Sequence, residues 1–369
     1  EKFEGRLHEQ FFAMDVPVWV RRGADFELAY AFVANGKKRF RLENGEEVFL
    51  GKEDTCLLRD PPSVLGTEDL TRHISQNEAN MLESLRIRFV ADQIYTFAGP
   101  TLIALNPNRS LDIYSDDELK KYANSEPNLP PHLYMIAAKA YTSLCTEKKN
   151  QCVLISGESG SGKTESTKHV LRYLVSQMHS TGRGQGGETI QNKLLDSNPL
   201  LEAFGNASTT RNANSSRFGK FLKVLFDDGG AIIGAQLKSY LLEKSRVVRQ
   251  EHGERNFHIF YQLLAGASDQ QKSDWLLLAP TSYRYVGNMD WATPEERQRD
   301  CTLFSSTKKA MESFGIGGEE QEEVFACLAG ILYLGNVTFE AGESDRAVIQ
   351  DCTGLQIAAE LLCVDTDAI

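Results

Sequence analysis

The chain has 369 residues, 41% hydrophobic and 25% charged, a length and balance that suit a soluble globular protein of two or three structural units. No apolar run approaches the roughly 20 residues that span a bilayer, which excludes a transmembrane segment, and a formal net charge of −11 argues against a nucleic-acid partner. The cysteines, Cys56, Cys145, Cys152, Cys301, Cys327, Cys352 and Cys363, stand singly with no CxxC, so they predict neither a zinc site nor a secreted disulfide framework but, for most of them, small buried hydrophobes in a reducing, cytoplasmic compartment.

After a polar start at Glu1 with no signal-peptide pattern, "VPVWVRR" and "FELAYAFVANGKKRFRLENGEEVFL" show aromatic and β-branched alternation. The interruptions at Asn35-Gly36 and Asn44-Gly45 tolerate the positive φ of tight hairpins, so residues 1–60 are expected to form a small antiparallel β unit. Pro61, Pro62 and Gly66 mark a boundary, after which the larger part of the chain begins. "NEANMLESLRIRFVAD" has helical spacing, "IYTFAGPTLIALNPN" reads as two short strands ending in a turn at Asn106-Pro107, and "LPPHLYMIAAKAYTSLC" reads as a helix with prolines at its start. "CVLIS" is expected as a strand, followed by glycines and then by a helix on which Val170, Leu171, Leu174, Val175 and Met178 share one face. "STGRGQGGE" reads as a flexible surface loop, and "RFGKFLKVLFDDGGAIIGAQLKSYLLE" as two paired strands around Asp228-Gly229. Helices are expected over "ERNFHIFYQLLAGA", "EERQRDCTLFSSTKKAMESFG" and "EEQEEVFACLAGILYLG", and Ile369 falls within a helical-looking stretch, so the chain reads as a fragment. The fold class is α/β with a helical extension.

"GESGSGKT" satisfies G-x-x-x-x-G-K-[ST] through Gly157, Gly162, Lys163 and Thr164, with Glu158, Ser159, Gly160 and Ser161 between them. Glycines let backbone N–H groups turn inward around phosphates, the following helix N-terminus adds partial positive charge, Lys163 reaches the β/γ oxygens, and the Thr164 hydroxyl suits Mg²⁺. With glycine at about 7% of residues, such a match arises by chance in on the order of one chain in a hundred of this length, and requiring strand, loop and helix in that order lowers the rate further. Several imitations fail on context. Gly182, Gly184 and Gly187 follow a helix rather than a strand, "NKLLD" has one residue too many for guanine reading, and Asn214-Ser215-Ser216 is an incidental glycosylation acceptor. A phosphate loop alone leaves kinase, GTPase, transporter and motor open. "RNANSSRFGKF" narrows them, because two adjacent hydroxyls beside amides and an arginine suit a loop that closes over a terminal phosphate.

"GESGSGKTEST", "NANSSRFGKF", "LLEKSRV" and "ERNFHIFYQLL", in that order, strongly resemble the myosin motor head, and the resemblance runs from about residue 60 to Ile369. "LTRHISQNEANMLESLRIRF" is similar to the family's head-start helix, "FACLAGILYLGNVTF" and "LQIAAELLCVDTDAI" to its upper helical region, and residues 1–60 to the small β-barrel that many members place before the head. The resemblance implies a P-loop NTPase core with a mixed central sheet over 61–369, stopping before a second switch that lies beyond Ile369. It implies that Gly157 to Thr164 hold MgATP, that Thr164 and Ser216 coordinate Mg²⁺, and that Lys163 neutralises the β/γ-phosphates. Asn212, Asn214, Ser215 and Arg217 would form the first switch, with Ser215 on the γ-phosphate and lytic water and Arg217 awaiting a glutamate of the second switch. Asn106, Pro107 and Tyr114 match its purine loop. Asn108 stands where an aromatic is frequent, and Pro100 departs from the pattern on what reads as a strand edge; these departures point to a divergent, protist class. Asp351 and Gly354 imitate a second-switch D-x-x-G but fall in register before it, in an ordinary loop, and are expected to be non-catalytic.

The implied activity of the intact protein is actin-activated ATP hydrolysis coupled to movement on actin filaments in the cytoskeleton. Light chains or calmodulin would bind through a neck outside this chain, which by itself is not expected to turn over ATP with actin activation. Two other readings stay open: a nucleotide-regulated actin tether with little turnover, and a non-motor P-loop kinase or NTPase.

Overall fold

A side-chain period of two puts Val18, Val20, Ala29, Ala31, Phe40, Leu42 and Val48 on one face of a sheet, and that face forms its own buried core with Cys56 and Leu58 packed at its rim. The strands are β1 (Val16–Arg22), β2 (Asp25–Ala34), β3 (Lys37–Leu42), β4 (Glu47–Val48) and β5 (Thr55–Leu58). They form an antiparallel sheet in the order β4-β3-β2-β1-β5. Gly45 turns the chain between β3 and β4 at φ +84°. The β1–β2 hairpin turns at Gly23-Ala24, a signal the sequence reading did not use, and Asn35-Gly36 lies outside the described residues. The computed structural model describes residues 16–34, 37–51, 54–180, 187–287, 293–342 and 346–369, in two compact units, 1–140 and 141–369.

In the first unit α1 (Glu78–Val90) is capped by Asn77, whose side chain accepts the Asn80 N–H. Asn80, fully buried, accepts from the Trp19 indole at 2.8 Å and from the Asp60 N–H at 3.0 Å, tying helix to sheet. Asp60 accepts in turn from His73 Nδ1 at 2.8 Å and from the Ile74 and Ser75 N–H groups at 2.9 Å each, while His73 Nε2 meets Ser84 Oγ at 3.0 Å. β6 (Tyr95–Ala98) and β7 (Thr101–Ala104) pair as a hairpin. Pro100 is therefore not on a strand edge: it is the second residue of a two-residue loop whose first, Gly99, has φ +62°, and no ladder bond needs an N–H there. α2 (Asp116–Ala123) follows, then α3 (Leu133–Glu147), within which the division between the units falls.

In the second unit the expected strand at 152–156 does not form. A strand needs an edge to pair with, and no described segment pairs with these residues; Leu154 is 86% exposed. The glycines lead into α4 (Lys163–Ser180), whose Leu174 and Val175 pack on Leu222, Val224, Phe226 and Ile232 of two later strands. The expected loop at 180–188 lies mostly outside the described residues, and α5 (Gly187–Gly205) begins at its end. β8 (Asn206–Ala207) pairs with β9 (Ser215–Ser216), and β10 (Gly219–Phe226) with β11 (Ile232–Tyr240), as the Asp228-Gly229 turn predicted.

The short α6 (Ser245–Val248) precedes α7 (His258–Gly266), α8 (Asp269–Asp274), α9 (Pro294–Ser313) and α10 (Gly318–Leu334). β12 (Phe339–Ala341) and β13 (Ala347–Ile349) pair before α11 (Thr353–Leu361). Phe260, Leu263, Phe304, Phe325, Leu332 and Ala358 fill the helical core. Gly266 is required there, since a Cβ on it would stand 2.6 Å from the Phe304 ring. Gly354 is inside α11 rather than in a loop, and Asp351 accepts the Thr353 N–H at its start, which holds the Asp351 carboxyl below the usual range. The chain leaves the helix after Leu361, with Cys363 at φ +53°, so the helical-looking stretch does not run to Ile369. The cysteines are not fully buried: Cys152, Cys327, Cys352 and Cys363 are exposed and Cys56, Cys145 and Cys301 half-buried. No helix among the described residues is long and apolar enough to cross a membrane.

Candidate functional site

The glycine-rich loop ends where α4 begins, at Lys163. Gly160 and Gly162 take φ +83° and +92°, a region that side chains with a Cβ disfavour by about 1–2 kcal/mol. Ser161 N–H bonds the Glu158 carbonyl at 3.2 Å, closing the loop. Lys163 folds back over it, donating from Nζ to the Gly157 and Glu158 carbonyls at 2.7 Å each. Its ammonium is thus held by neutral acceptors, an arrangement that an anionic ligand at the helix N-terminus can displace. Thr164, half-buried, stands in the first turn of α4.

The second nominated loop lies between β8 and β9. Its ends are clamped by strand pairing and by the Arg217 N–H to the Gly205 carbonyl at 2.8 Å. Asn212 closes its own turn: Oδ1 accepts the Asn214 N–H at 3.0 Å and Nδ2 donates to the Asn214 carbonyl at 3.2 Å. Asn214 is engaged within the protein as well, donating to Glu202 at 3.0 Å and accepting from Asn206 at 2.9 Å and from His258 Nε2 at 3.1 Å. Burial, with Arg255 and Arg299 adding to it, pushes the His258 imidazole down to about 4. Of the two hydroxyls, Ser215 is buried and Ser216 exposed.

The two loops meet. Ser159 Oγ and Ser215 Oγ are 2.9 Å apart, and a Cβ on Gly160 would stand 3.7 Å from the Asn212 side chain. Arg217 donates to Ser215 Oγ at 3.2 Å and to Glu243 at 2.6 Å. Burial alone would raise the Glu243 carboxyl, but hydrogen bonds and charge from Arg217 and Arg246 outweigh it and hold the carboxyl below the usual range. Among the described residues no group of three or more His, Cys, Asp or Glu side chains is arranged to hold a metal ion. The donors nominated for a hard cation are the hydroxyls of Thr164 and Ser216, and oxygen ligands of this kind suit Mg²⁺ when phosphates complete the set.

The nominated Asn106, Pro107 and Tyr114 lie in the first unit. Asn106 Oδ1 accepts the Asn108 N–H at 2.9 Å, and Asn108 has φ +52°, a conformation asparagine tolerates and a bulky aromatic does not. Local backbone geometry therefore accounts for asparagine at that departure. The Tyr114 hydroxyl meets that of Tyr95 at 2.6 Å, and its backbone carbonyl accepts from Tyr134 at 3.2 Å. His132 packs among Tyr95, Tyr114, Tyr122 and Tyr134, with ring centroids 4.5–5.4 Å apart. Burial above all, then the Tyr114 hydroxyl, pushes the Tyr95 phenol far above its ordinary value.

The sequence reading missed Glu243, His258, Glu202, Asn206 and Tyr95. Glu243 and His258 stood inside quoted motifs, and the signal available was the Glu-x-x-Arg spacing of Glu243 and Arg246, one helical turn apart. Glu202 and Asn206 carry no local signal, because only the fold brings them to Asn214.

A glycine-rich loop at a helix start, touching a hydroxyl-bearing hairpin loop, is an arrangement whose backbone and hydroxyl groups suit phosphate-bearing ligands. Residues 67–369 match the family model described as Myosin head (motor domain), and the chain belongs to that family. It is 43% identical over 302 residues to "Myosin IB heavy chain" of Dictyostelium discoideum, covering 82% of this chain and 27% of that protein. It is 44% identical over 311 residues to "Myosin IA heavy chain" of the same organism, covering 83% and 31%. A third relative, "Myosin-1" of Coprinopsis cinerea, is 42% identical over 306 residues, covering 83% and 24%. The chain thus spans about a quarter to a third of the length of these relatives.

Proposed function

We propose that this chain is the nucleotide-reading part of an ATP-dependent, actin-based motor. The contact between Ser159 and Ser215 carries the reading, because it sets a phosphate-binding loop against a loop able to sense whether a terminal phosphate is present. On this reading residues 61–369 are the N-terminal portion of a motor domain built on a P-loop NTPase core. Residues 1–60 are a small β-barrel-like domain, to which the five-stranded sheet belongs.

Gly157 to Thr164 wrap the phosphates, and Lys163 exchanges its two carbonyl acceptors for β/γ oxygens. Asn212 and Asn214 shape the first switch from within. Ser215 orients the γ-phosphate and the attacking water, and Arg217 fixes Ser215. Asn106, Pro107 and Tyr114 form the purine loop. Mg²⁺ held by Thr164 and Ser216 would supply charge neutralisation across the β- and γ-phosphates. The protein's part in the in-line hydrolysis is positioning and electrostatic stabilisation, with no covalent intermediate on the chain. Membership of the myosin head family supports actin filaments as the partner and the actin cytoskeleton as the location. Light chains or calmodulin would belong to parts of the protein outside this chain.

Two measurements test the reading. Titration with a fluorescent ATP analogue in Mg²⁺ should give saturable binding that Lys163→Ala weakens by about 30- to 100-fold, the loss of one charge-assisted contact. Sedimentation of the full heavy chain with filamentous actin should show binding that ATP releases. Binding indifferent to ATP would favour a tether, and absence of binding would defeat the actin reading.

A further inference from the structure

Arg217 is held from two sides. Its Nη1 donates to Ser215 Oγ at 3.2 Å, its Nε donates to Glu243 Oε2 at 2.6 Å, and the Glu243 N–H bonds the Arg217 carbonyl at 2.9 Å. The same Glu243 oxygen accepts from Arg246 Nε at 2.7 Å. Arg246 is buried and has further partners: Glu254 at 2.8 Å and the Arg255 carbonyl at 3.0 Å.

The arrangement is asymmetric. If Glu243 loses its charge, Arg246 keeps Glu254 and a carbonyl, so no buried ion is stranded. Arg217 alone loses its carboxylate, and with it the bond that sets the angle of its guanidinium. Since Nη1 of that guanidinium holds Ser215 Oγ, and Ser215 Oγ faces Ser159 Oγ, the orientation of Glu243 reaches the phosphate loop through two intermediaries.

We infer that Glu243 is a positioning residue for reading a terminal phosphate: it fixes Arg217 so that Ser215 Oγ is presented beside the glycine-rich loop. The proposal rests on the site being a nucleoside triphosphate site. Glu243 touches no phosphate itself on this account. Its effect is therefore specific to ligands that carry the phosphate Ser215 reads, and absent for the diphosphate.

The test compares affinities of the full heavy chain for N-methylanthraniloyl-labelled ATP and ADP in Mg²⁺, with melting temperature measured in parallel. Glu243→Ala should lower the ATP-to-ADP affinity ratio by about tenfold, the scale of one charge-assisted positioning contact, and Glu243→Gln should fall between it and wild type. Arg217→Ala should lower the ratio similarly, and adding Glu243→Ala to it should change the ratio no further. Glu254→Gln should lower the melting temperature and leave the ratio alone, because Glu254 contacts Arg246 and not Arg217. Should Glu243→Ala not fold, Glu243→Gln carries the comparison. A ratio unchanged in the Glu243 variants overturns the proposal. So does an equal loss for both nucleotides, or full additivity with Arg217→Ala. A wild-type protein that binds neither nucleotide overturns the triphosphate reading itself and the proposal with it, an outcome separable from the others by the wild-type titration alone.

Discussion

Two hydrogen-bonded knots, one in each unit, are built from similar parts and sealed to different degrees. In the first unit Asp60, His73 and Ser84 are all buried to within 4% exposure, and Asp60 receives three donors while Ser84 also accepts the Gly66 N–H at 2.9 Å. In the second, Ser215 is buried, but the side chains of Arg217 and Glu243 remain 27% and 33% exposed. The first resembles a nucleophile, base and acid in series, yet Ser84 is fully buried, so no substrate reaches its hydroxyl. Its partners leave no member able to depart without orphaning another. In the second, Arg217 can move and leave Glu243 paired to Arg246. Sealed networks fix a fold; a network with a redundant partner at its exposed end permits a moving part.

The sharpest way to break this contrast is to neutralise each acid by an isosteric amide. Asp60→Asn should cost about 3–5 kcal/mol in urea denaturation, because the amide N–H₂ must face at least one of the three donors, the buried His73 ring or the half-buried Ile74 and Ser75 N–H groups. A loss below about 1 kcal/mol there would mean that the first knot relaxes as easily as the second. Next in size is a pH effect at His258, which holds the hairpin loop through Asn214. Its folded value of about 4 lies below the unfolded one, so the unfolded state binds more protons between about pH 6.5 and 4. Stability contributed by the neutral ring is full above that window and falls as pH drops through it, by at most about 3 kcal/mol at pH 4. His258→Gln should flatten that part of a melting-temperature profile against pH.

The pattern of what was legible follows the same division. Elements with local causes could be read directly: the period-two face of the N-terminal sheet, the Asp228-Gly229 hairpin, and the α4 face that carries Leu174 and Val175. The "CVLIS" strand could not be confirmed by its own residues, because a strand exists through its neighbours and no described segment pairs with it. At the site, the residues that face a ligand announce themselves by type, as glycines, a lysine and hydroxyls. Those that aim them do not. Glu202, Asn206 and His258 converge on Asn214 from α5, β8 and α7, an encounter created by folding alone. Asn212 and Asn214 show the converse: their type suggests ligand contact, and both amides also bond within the protein.

Smaller changes grade the comparison. Ser84→Ala removes the hydroxyl between His73 Nε2 and the Gly66 N–H, leaving a buried ring nitrogen and a half-buried N–H to find water or each other, and should cost about 1–3 kcal/mol. Glu243→Gln should cost under about 1 kcal/mol in the same denaturation experiment, since Arg246 keeps its other acceptors and the half-exposed Arg217 can turn to solvent. The informative quantity is the gap between Asp60→Asn and Glu243→Gln. Both replace a carboxylate that accepts from two or more donors with an amide of the same shape, so number of bonds and volume are nearly controlled. Burial and the presence of a substitute partner are what differ. If the two variants lose equal stability, the redundancy of Arg246 has no energetic meaning, and Arg217 is as firmly fixed as His73.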